Sequence, residues 1–306
     1  MIWAVLAPSL VNWNRFNFEK SLYGKRVLGG FFSKQLITST HKKNGLACMD
    51  SATADAVFKG TGTNNNEASI LPVAVDVGDA RSPTETGHIG ERIRISYIGR
   101  SDDLWKIKPV KRIISNLALI NAQFDLNIYT DSEIPFLMEL ENISAPNISF
   151  KFHVGIYGAS LREHLASNSD LHFSMGISAL EGALSGLPTV LVDPSYVDIP
   201  DGYRYRWLHE TEGFSLGRFV SGDASTFPGH TMAQLIDALR DPTARLKAAQ
   251  ACSAYVIKNH AAREVVAQLL ALNSQATNAD LFRFTPSAWK AAECLHRARN
   301  MLKDAK

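Results

Sequence analysis

The sequence contains few cysteines, and they lie far apart. Cys48, Cys252 and Cys294 show no paired spacing, which predicts neither a disulfide framework nor a zinc knuckle. The nine histidines include no H-E-x-x-H motif, so the sequence indicates no metal site. This pattern favours a reducing cytoplasmic environment.

Excess charge and long apolar runs are also absent. The formal net charge of +2 is too small to indicate a nucleic-acid-binding surface or a broad anionic membrane footprint. The apolar start MIWAVLAPSL is short, lacks a basic flank and contains Pro8. We therefore interpret it as a first strand rather than as a membrane span or a signal peptide.

The composition is that of a globular protein that is long enough for two domains. Of the 306 residues, 45% are hydrophobic and 20% are charged. From about Arg92 onward, short apolar runs alternate with helix-like stretches, which predicts a parallel sheet with helices on both faces. Ligands of such sheets bind beyond the carboxyl ends of the strands. The predicted strands are Ile93–Ile98, Leu126–Tyr129 and Ile148–His153, and the predicted helices are Val110–Asn121, Ile134–Leu140 and Ser160–Ala166.

Before Arg92, the alternation of short apolar runs with helix-like stretches is less regular. A polar segment from Gly78 to Gly90 is the best candidate for a linker. After Asp241-Pro242, a long amphipathic helical region is predicted to about Leu272, and Thr285-Pro286 introduces a last helix over Pro286–Leu302. The early part is predicted to hold strands at Trp3–Leu6, Leu46–Met49 and Ile70–Val75, a helix near Leu22–Ile37, and a helix over Ala52–Phe58 capped by Asp50-Ser51.

The most informative segment is DLHFSMGISALEGALSGLPTVLVDPS, which begins at Asp170. It predicts a strand, a turn containing Gly176, a short helix closed by Gly186, and a second strand over Thr189–Val192. A glycine turn into a helix places free N–H groups and a positive dipole end at one point, which favours a phosphate. Ser178 and Glu181 also fit the S-x-x-E pattern of a capping box.

Four segments together resemble a known family of enzymes. They are CMDSATADAVF from Cys48, SILPVAVD from Ser69, ISYIGRSDDLWKIKPVKRII from Ile95 and ISALEGALSGLPTVLVD from Ile177. Their order and spacing resemble the nucleotide-sugar-dependent glycosyltransferases of the GT-B fold, in particular the large retaining class. The resemblance runs from roughly Cys48 to Asn273.

The resemblance implies a division of the chain. Residues 1–88 would form a partial, acceptor-side α/β domain with the linker, and residues 89–275 a Rossmann-like domain that binds the nucleotide-sugar donor. Residues 276–306 would form a helix that packs back on the N-terminal part. Because the part before the linker is short for a first GT-B domain, the sequence indicates either a fragment or a chain that works with another subunit.

The resemblance also assigns roles to individual residues. Glu181 would accept hydrogen bonds from the donor ribose, with the capping box as the alternative role. Lys108 competes with Lys106 for the phosphates, and Asp102 and Asp103 could pair with these cations instead. His153, at a strand end, is either part of the pocket or a structural histidine. The residues expected to bind the donor phosphates are Arg100, Lys106, Gly176, Ile177 and Ser178, and those expected to line the pocket are Gly99, Lys108, His153 and Met175.

Two further features leave alternatives open. The family commonly has two glutamates eight residues apart, but the first of these positions is Phe173 here. The run from Asp201 to Gly213 alternates aromatic and basic residues, which is typical of nucleic-acid binding. The charge balance argues against nucleic acid, so we expect a loop or edge strand beside the pocket, or plain packing.

The implied function is that of a metal-independent glycosyltransferase without a cofactor. It would move a sugar from a nucleotide diphosphate sugar to a hydroxyl of a saccharide or lipid-linked acceptor in surface polysaccharide biosynthesis, in the cytoplasm or at the inner face of the membrane. The alternatives are a non-catalytic nucleotide-sugar-binding subunit that needs a partner chain and a nucleotide-sugar epimerase of related fold.

Overall fold

The structure is a computed structural model of the 306-residue chain. It describes residues 2–4, 37–61, 68–83, 89–101, 104–141, 143–218, 220 and 228–272. The described residues form two compact units, one with the residues up to Pro72 and those from Val266, the other with Val73–Val265. The predicted helix Pro286–Leu302, the whole of 276–306 and most of Leu22–Ile37 lie outside the described residues.

The first unit contains a parallel sheet of three short strands in the order β1-β2-β3. Asp50 caps helix α1, because its carboxylate accepts the amide hydrogen of Thr53 at 2.6 Å, as the sequence predicts. The predicted strand Ile70–Val75 is too long, since Pro72 has no N–H to donate and the strand ends at Ile70. The elements are β1 (Ile2–Ala4), β2 (Leu46–Cys48), α1 (Ser51–Thr61) and β3 (Ser69–Ile70).

The second unit is built on a six-stranded sheet. Its elements are β4 (Arg92–Ile98), α2 (Leu104–Ala118), β5 (Gln123–Thr130), α3 (Ile134–Leu140), β6 (Ile148–Val154), α4 (Gly158–Asn168), β7 (Leu171–Ser174), α5 (Ile177–Leu184), β8 (Thr189–Leu191), β9 (Arg206–Trp207), α6 (Met232–Arg240), α7 (Pro242–His260) and α8, which runs on past Val265 (Ala262–Ala271). The strand order is β6-β5-β4-β7-β8-β9. Strands β4 to β8 are parallel, and β9 pairs antiparallel with β8.

Hydrophobic side chains cover both faces of this sheet. On β8, Val190 packs in one cluster with residues of α2, α3 and α6, whereas Leu191 packs in a second cluster with residues of α5 and α7. Successive residues of a strand point to opposite faces, so the two clusters lie on opposite sides of the sheet. The predicted doubly wound parallel sheet is confirmed.

The helices follow the apolar spacing of the sequence, with some shifted ends. The helical spacing of Ile113, Ile114 and Leu117 buries all three side chains, but α2 starts earlier than predicted, at Leu104, and ends at Ala118. The region predicted after Asp241-Pro242 is two helices, because Ala261 between them pairs with Val75 in an isolated bridge. None of the helices in the described part of the chain is both long and apolar enough to cross a bilayer.

The chain reverses its direction of strand addition at one point of the sheet. It proceeds from β4 outward to β5 and β6, and then returns to place β7 on the other side of β4. The carboxyl ends of β4 and β7 therefore lie side by side with their connections leading apart. In open α/β sheets, such a switch point leaves a crevice for a ligand.

Candidate functional site

The candidate site lies at the switch point between β4 and β7. Ile98 and Ser174 are paired in the register, and the Ser174 hydroxyl donates to the Ile98 carbonyl at 3.1 Å. The segments that follow, Gly99-Arg100 and Met175-Gly176, consequently start next to each other, at about the 4.8 Å spacing of neighbouring strands.

The turn after β7 is short and depends on Gly176. This residue has φ +61° and ψ −145°, a conformation close to glycine-only backbone, and a side chain there would meet no atom within 4 Å. Its amide already donates to the Leu216 carbonyl at 2.7 Å. Helix α5 begins at Ile177, and the first amides of a helix have no acceptor within the helix. The turn thus has open space at Gly176, directly before the first amides of α5.

The predicted capping box between Ser178 and Glu181 is wrong. Gly176 is the N-cap residue of α5 and no side chain caps the helix, so Ser178 lies inside the first turn. The physical reason is the backbone of Gly176, which turns the chain into the helix two residues earlier than the sequence pattern indicates. The C-terminal end is as predicted, since Gly186 has φ +81°.

A fully buried histidine fixes the first turn of α5 to the sheet. His172 Nε2 lies 3.2 Å from the Ser178 carbonyl, and Nδ1 lies 2.9 Å from the Ser96 hydroxyl of β4. Burial lowers the pKa of His172 to about 4, so the ring is neutral at pH 7. In a neutral ring only one nitrogen donates, and a carbonyl can only accept. Nε2 therefore carries the hydrogen, and Nδ1 accepts the one from Ser96.

The loop after β4 is held from two sides. A side chain at Gly99 would lie 2.6 Å from the ring of Tyr97, whose hydroxyl donates to the Lys106 carbonyl at 2.8 Å. Ser101 donates from both its amide and its hydroxyl to Asp131, at 2.7 and 2.9 Å. These hydrogen bonds, with that of the Ser101 amide the largest cause, lower the pKa of Asp131 to about 2. The contacts hold Gly99 and Ser101 in place directly after β4.

The three cations predicted to bind or compete for the phosphates have different surroundings in the structure. Arg100 is exposed at the end of β4. Lys106 is buried in the first turn of α2, with its ammonium 4.7 Å from the ring centroid of Trp105. Lys108 forms an ion pair with Asp198 at 2.7 Å. The side chains of Asp102 and Asp103, proposed as competing partners, lie outside the described residues.

Pro109 leaves a backbone carbonyl of α2 available for a hydrogen bond to the loop after β8. A proline has no N–H, so the carbonyl of Trp105, four residues earlier, lacks its usual helical donor. The amide of Ser195 donates to that carbonyl instead, at 3.2 Å. The first turn of α2 and the loop after β8 are joined in this way at the same edge of the sheet.

Glu181 has a partner that the sequence did not indicate. Arg162 of α4 donates from Nε to Oε2 of Glu181 at 2.5 Å and from Nη2 to Oε1 at 3.3 Å. Arg162 Nη2 also donates to the Asp76 carbonyl at 2.9 Å. The side chains of Arg162 and Glu181 are only 12% and 23% exposed. Because these partners are distant in sequence, no local pattern could have predicted the pair.

His153 and Met175 have defined surroundings. His153 Nε2 lies 2.8 Å from the side-chain oxygen of Asn127, and the ring stacks on Tyr129 at 4.5 Å between centroids. Burial, more than the nearby charges, lowers the pKa of His153. Met175 is half-buried against the core. The hydrogen bond and the stacking give His153 a structural role and do not test its predicted place in the pocket.

Phe173, at the position of the first glutamate in the family pattern, belongs to the core. Its side chain is fully buried and contacts the ring of Tyr205 edge to face, with centroids 5.7 Å apart. Among the described residues, no group of three or more His, Cys, Asp or Glu side chains is placed to hold a metal ion.

Comparisons with known proteins agree with this architecture. No protein-family model and no curated protein matches the sequence. A glycosyltransferase from Rickettsia africae is similar in structure, with 14% identity, 79% of this chain and 66% of that chain covered, and a TM-score of 0.51. HepE of Anabaena, solved with UDP and glucose, is 14% identical over 78% of this chain and 66% of its own, with a TM-score of 0.49. TarM, from S. aureus, is 14% identical over 78% of this chain and 45% of its own, also with a TM-score of 0.49.

The chain thus spans 66% of HepE and 45% of TarM. At 14% identity, the likeness to the Rickettsia structure indicates the fold and not the activity. The sheet order, the switch point and the similarity to the Rickettsia structure agree. The fold expected from the sequence is confirmed: this chain has the fold of the GT-B glycosyltransferases.

Proposed function

We propose that this chain binds a nucleotide diphosphate sugar at the switch point and transfers the sugar to a hydroxyl acceptor. The observation that carries the proposal is the Gly176 turn, which presents open space and helix amides directly beside the loop that bears Arg100. A phosphate group needs this combination of amide donors, a positive helix end and a nearby cation.

The diphosphate would lie between the turn and the loop after β4. The amides of Ile177 and Ser178 and the cations of Arg100 and Lys106 would bind its oxygens. When the sugar leaves, the nucleoside diphosphate gains negative charge, and fixed cations and amides stabilise that charge without reorganising. On this basis we propose that transfer needs no metal ion. Lys108 forms an ion pair with Asp198, so we do not assign it to the diphosphate.

The ribose would bind at Glu181. A carboxylate offers about four acceptor positions, and the two hydrogen bonds from Arg162 occupy two of them. The remaining positions can accept hydrogen bonds from ribose hydroxyls. Arg162 would act as the positioning residue that fixes the direction of these acceptors.

A second candidate function is supported by Phe173. Phenylalanine has no carboxylate, and this side chain lies in the core. The position therefore does not supply the acidic group that the family pattern has there. A chain that holds the donor but relies on a partner subunit for transfer agrees with this substitution. The saccharide or lipid-linked acceptor, a role in surface polysaccharide synthesis and an association with the membrane are further parts of the proposal and follow only from the resemblance.

Two assays on the same protein distinguish the candidates. Binding of UDP, GDP and ADP is measured first, and then the release of nucleoside diphosphate from the corresponding sugars, in EDTA, with and without simple glycoside acceptors. Binding together with acceptor-dependent release supports the transferase. Binding without release under any condition favours the donor-binding subunit, and an absence of binding contradicts both.

A further inference from the structure

A buried carboxylate organises the chain beyond the end of β8. Asp193 is fully buried and accepts three hydrogen bonds: from Arg206 Nη2 at 2.9 Å, from the Tyr203 hydroxyl at 3.0 Å, and from the backbone amide of Arg218 at 2.7 Å. These three residues come from β9, from the segment before it and from the loop after it. Asp193 therefore fixes the backbone of Arg218 relative to the sheet.

Two arginines, Arg206 and Arg218, lie within ion-pair distance of Asp193. Burial beside Asp193 raises the pKa of Tyr203, so its hydroxyl stays neutral. Arg218 Nη2 lies 3.8 Å from Asp193 Oδ2, an ion-pair distance but longer than a hydrogen bond. The pKa of Arg218 is nevertheless lowered, because burial and the charge of Arg206 outweigh the attraction of Asp193 and Glu212. A further anion near Arg218 would relieve this repulsion.

The loop that bears Arg218 packs against the Gly176 turn. The Leu216 carbonyl accepts the Gly176 amide at 2.7 Å. A side chain on Gly217, whose φ is +152°, would lie 3.5 Å from the Cβ of Met175. Arg218 is the next residue, and a quarter of its side chain is exposed. Arg218 thus belongs to the loop that packs against the turn where the phosphates are proposed to bind.

We propose that Arg218 is a third cation of the diphosphate site, in addition to Arg100 and Lys106. Asp193, Tyr203 and Arg206 form the buried frame that holds its backbone. The proposal rests on the proposed function, because it assumes that a nucleoside diphosphate binds at the Gly176 turn. It extends the donor site from the loop after β4 to the loop after β9.

Binding of UDP, GDP or ADP, whichever the wild type prefers, is compared with binding of the matching nucleoside. In Arg218→Gln, we expect the diphosphate to bind at least tenfold more weakly while the nucleoside is unaffected. Arg218→Lys should lie between wild type and the glutamine variant, because lysine keeps the charge but not the two-pronged geometry. Arg263→Gln, which removes an exposed arginine of α8, is the matched control and should change neither affinity.

A purely structural role for Arg218 predicts that diphosphate and nucleoside affinities fall together, or that neither changes, and either result overturns the inference while leaving the proposed function intact. If the wild type binds no nucleoside diphosphate, the proposed function and this inference fail together.

A second measurement does not depend on the folding of a variant. The wild-type chain is treated with a phenylglyoxal-type arginine reagent, and the modified peptides are quantified by mass spectrometry. The nucleoside diphosphate, but not the nucleoside, should protect Arg218, while modification of Arg263 stays constant. Equal modification of Arg218 with and without the diphosphate, under conditions where it binds, would exclude the proposed contact.

Discussion

Replacing Glu181 by glutamine should destabilise the second unit, because the substitution removes the charge that Arg162 faces. The pair has N–O distances of 2.5 and 3.3 Å and side chains that are 12% and 23% exposed. Exposed ion pairs contribute about 0.2–1 kcal/mol, whereas removing one partner of a buried pair costs about 3–5 kcal/mol. For this intermediate burial we expect Glu181→Gln to lower the free energy of unfolding by about 2 kcal/mol, within the range for hydrogen bonds to charged groups.

Urea unfolding followed by circular dichroism measures this change directly. The matched control is Glu264→Gln, which removes the carboxylate from an exposed pair with Arg263 and should cost less than about 0.5 kcal/mol. Adding Arg162→Met, alone and combined with Glu181→Gln, completes a double-mutant cycle. We expect a coupling energy of about 1–3 kcal/mol between the two side chains.

A loss of stability in Glu181→Gln no larger than in Glu264→Gln, or a coupling energy near zero, would contradict a stabilising ion pair. Nucleotide affinity then provides a separate test of the ribose role. If Glu181 only anchors Arg162, the variant loses stability but binds the nucleoside diphosphate as tightly as the wild type. If it also holds the ribose, affinity falls as well.

Three other predictions concern the turn, the buried histidine and the cations. Gly176→Ala should cost about 1–3 kcal/mol in stability through backbone strain and should also weaken diphosphate binding. The control is Gly155→Ala at the end of β6, where φ is +76° and the surroundings are equally open; it should reduce stability alone. Equal diphosphate binding by both variants would contradict the role of the turn. The pKa of His172 is lowered from 6.5 to about 4, so below pH 6.5 the unfolded chain binds a proton at this ring that the folded chain does not bind. The free energy of unfolding, measured by urea titration, should therefore fall by about 2 kcal/mol between pH 6.5 and 5. A free energy that does not change over this range would contradict the burial of His172 as a neutral ring. Arg100→Ala should weaken diphosphate binding about 10- to 100-fold by calorimetry, while Lys108→Ala, whose ammonium is bound to Asp198, should change it little.

The sheet and most of its helices could be predicted because local apolar spacing determines them. The β4 and β7 strands, the helix Ile134–Leu140 and the glycine turn between β7 and α5 all follow from residues close together in sequence. The exceptions have local physical causes. Pro72 ends β3 early, and Ala261 separates two helices because its backbone pairs with Val75.

The candidate site was less predictable because its geometry depends on distant partners. The position of Gly176 at a strand end could be inferred from the sequence, but its φ and ψ angles move the helix start away from Ser178. The pairing of Glu181 with Arg162 brings together two helices, and no motif signals it. Tyr203 and Arg206, two partners of Asp193, lie in the run from Asp201 to Gly213, whose alternation alone could not be separated from plain packing.

The central claim, that the switch point binds a nucleoside diphosphate, is tested most directly by calorimetry. The chain is titrated with UDP, GDP and ADP and with the corresponding nucleosides, all in EDTA. We predict that at least one diphosphate binds, and binds more tightly than its nucleoside, because the cations and helix amides act on the phosphates. Binding of none of the three, or binding that appears only after a divalent metal is added, would contradict the account.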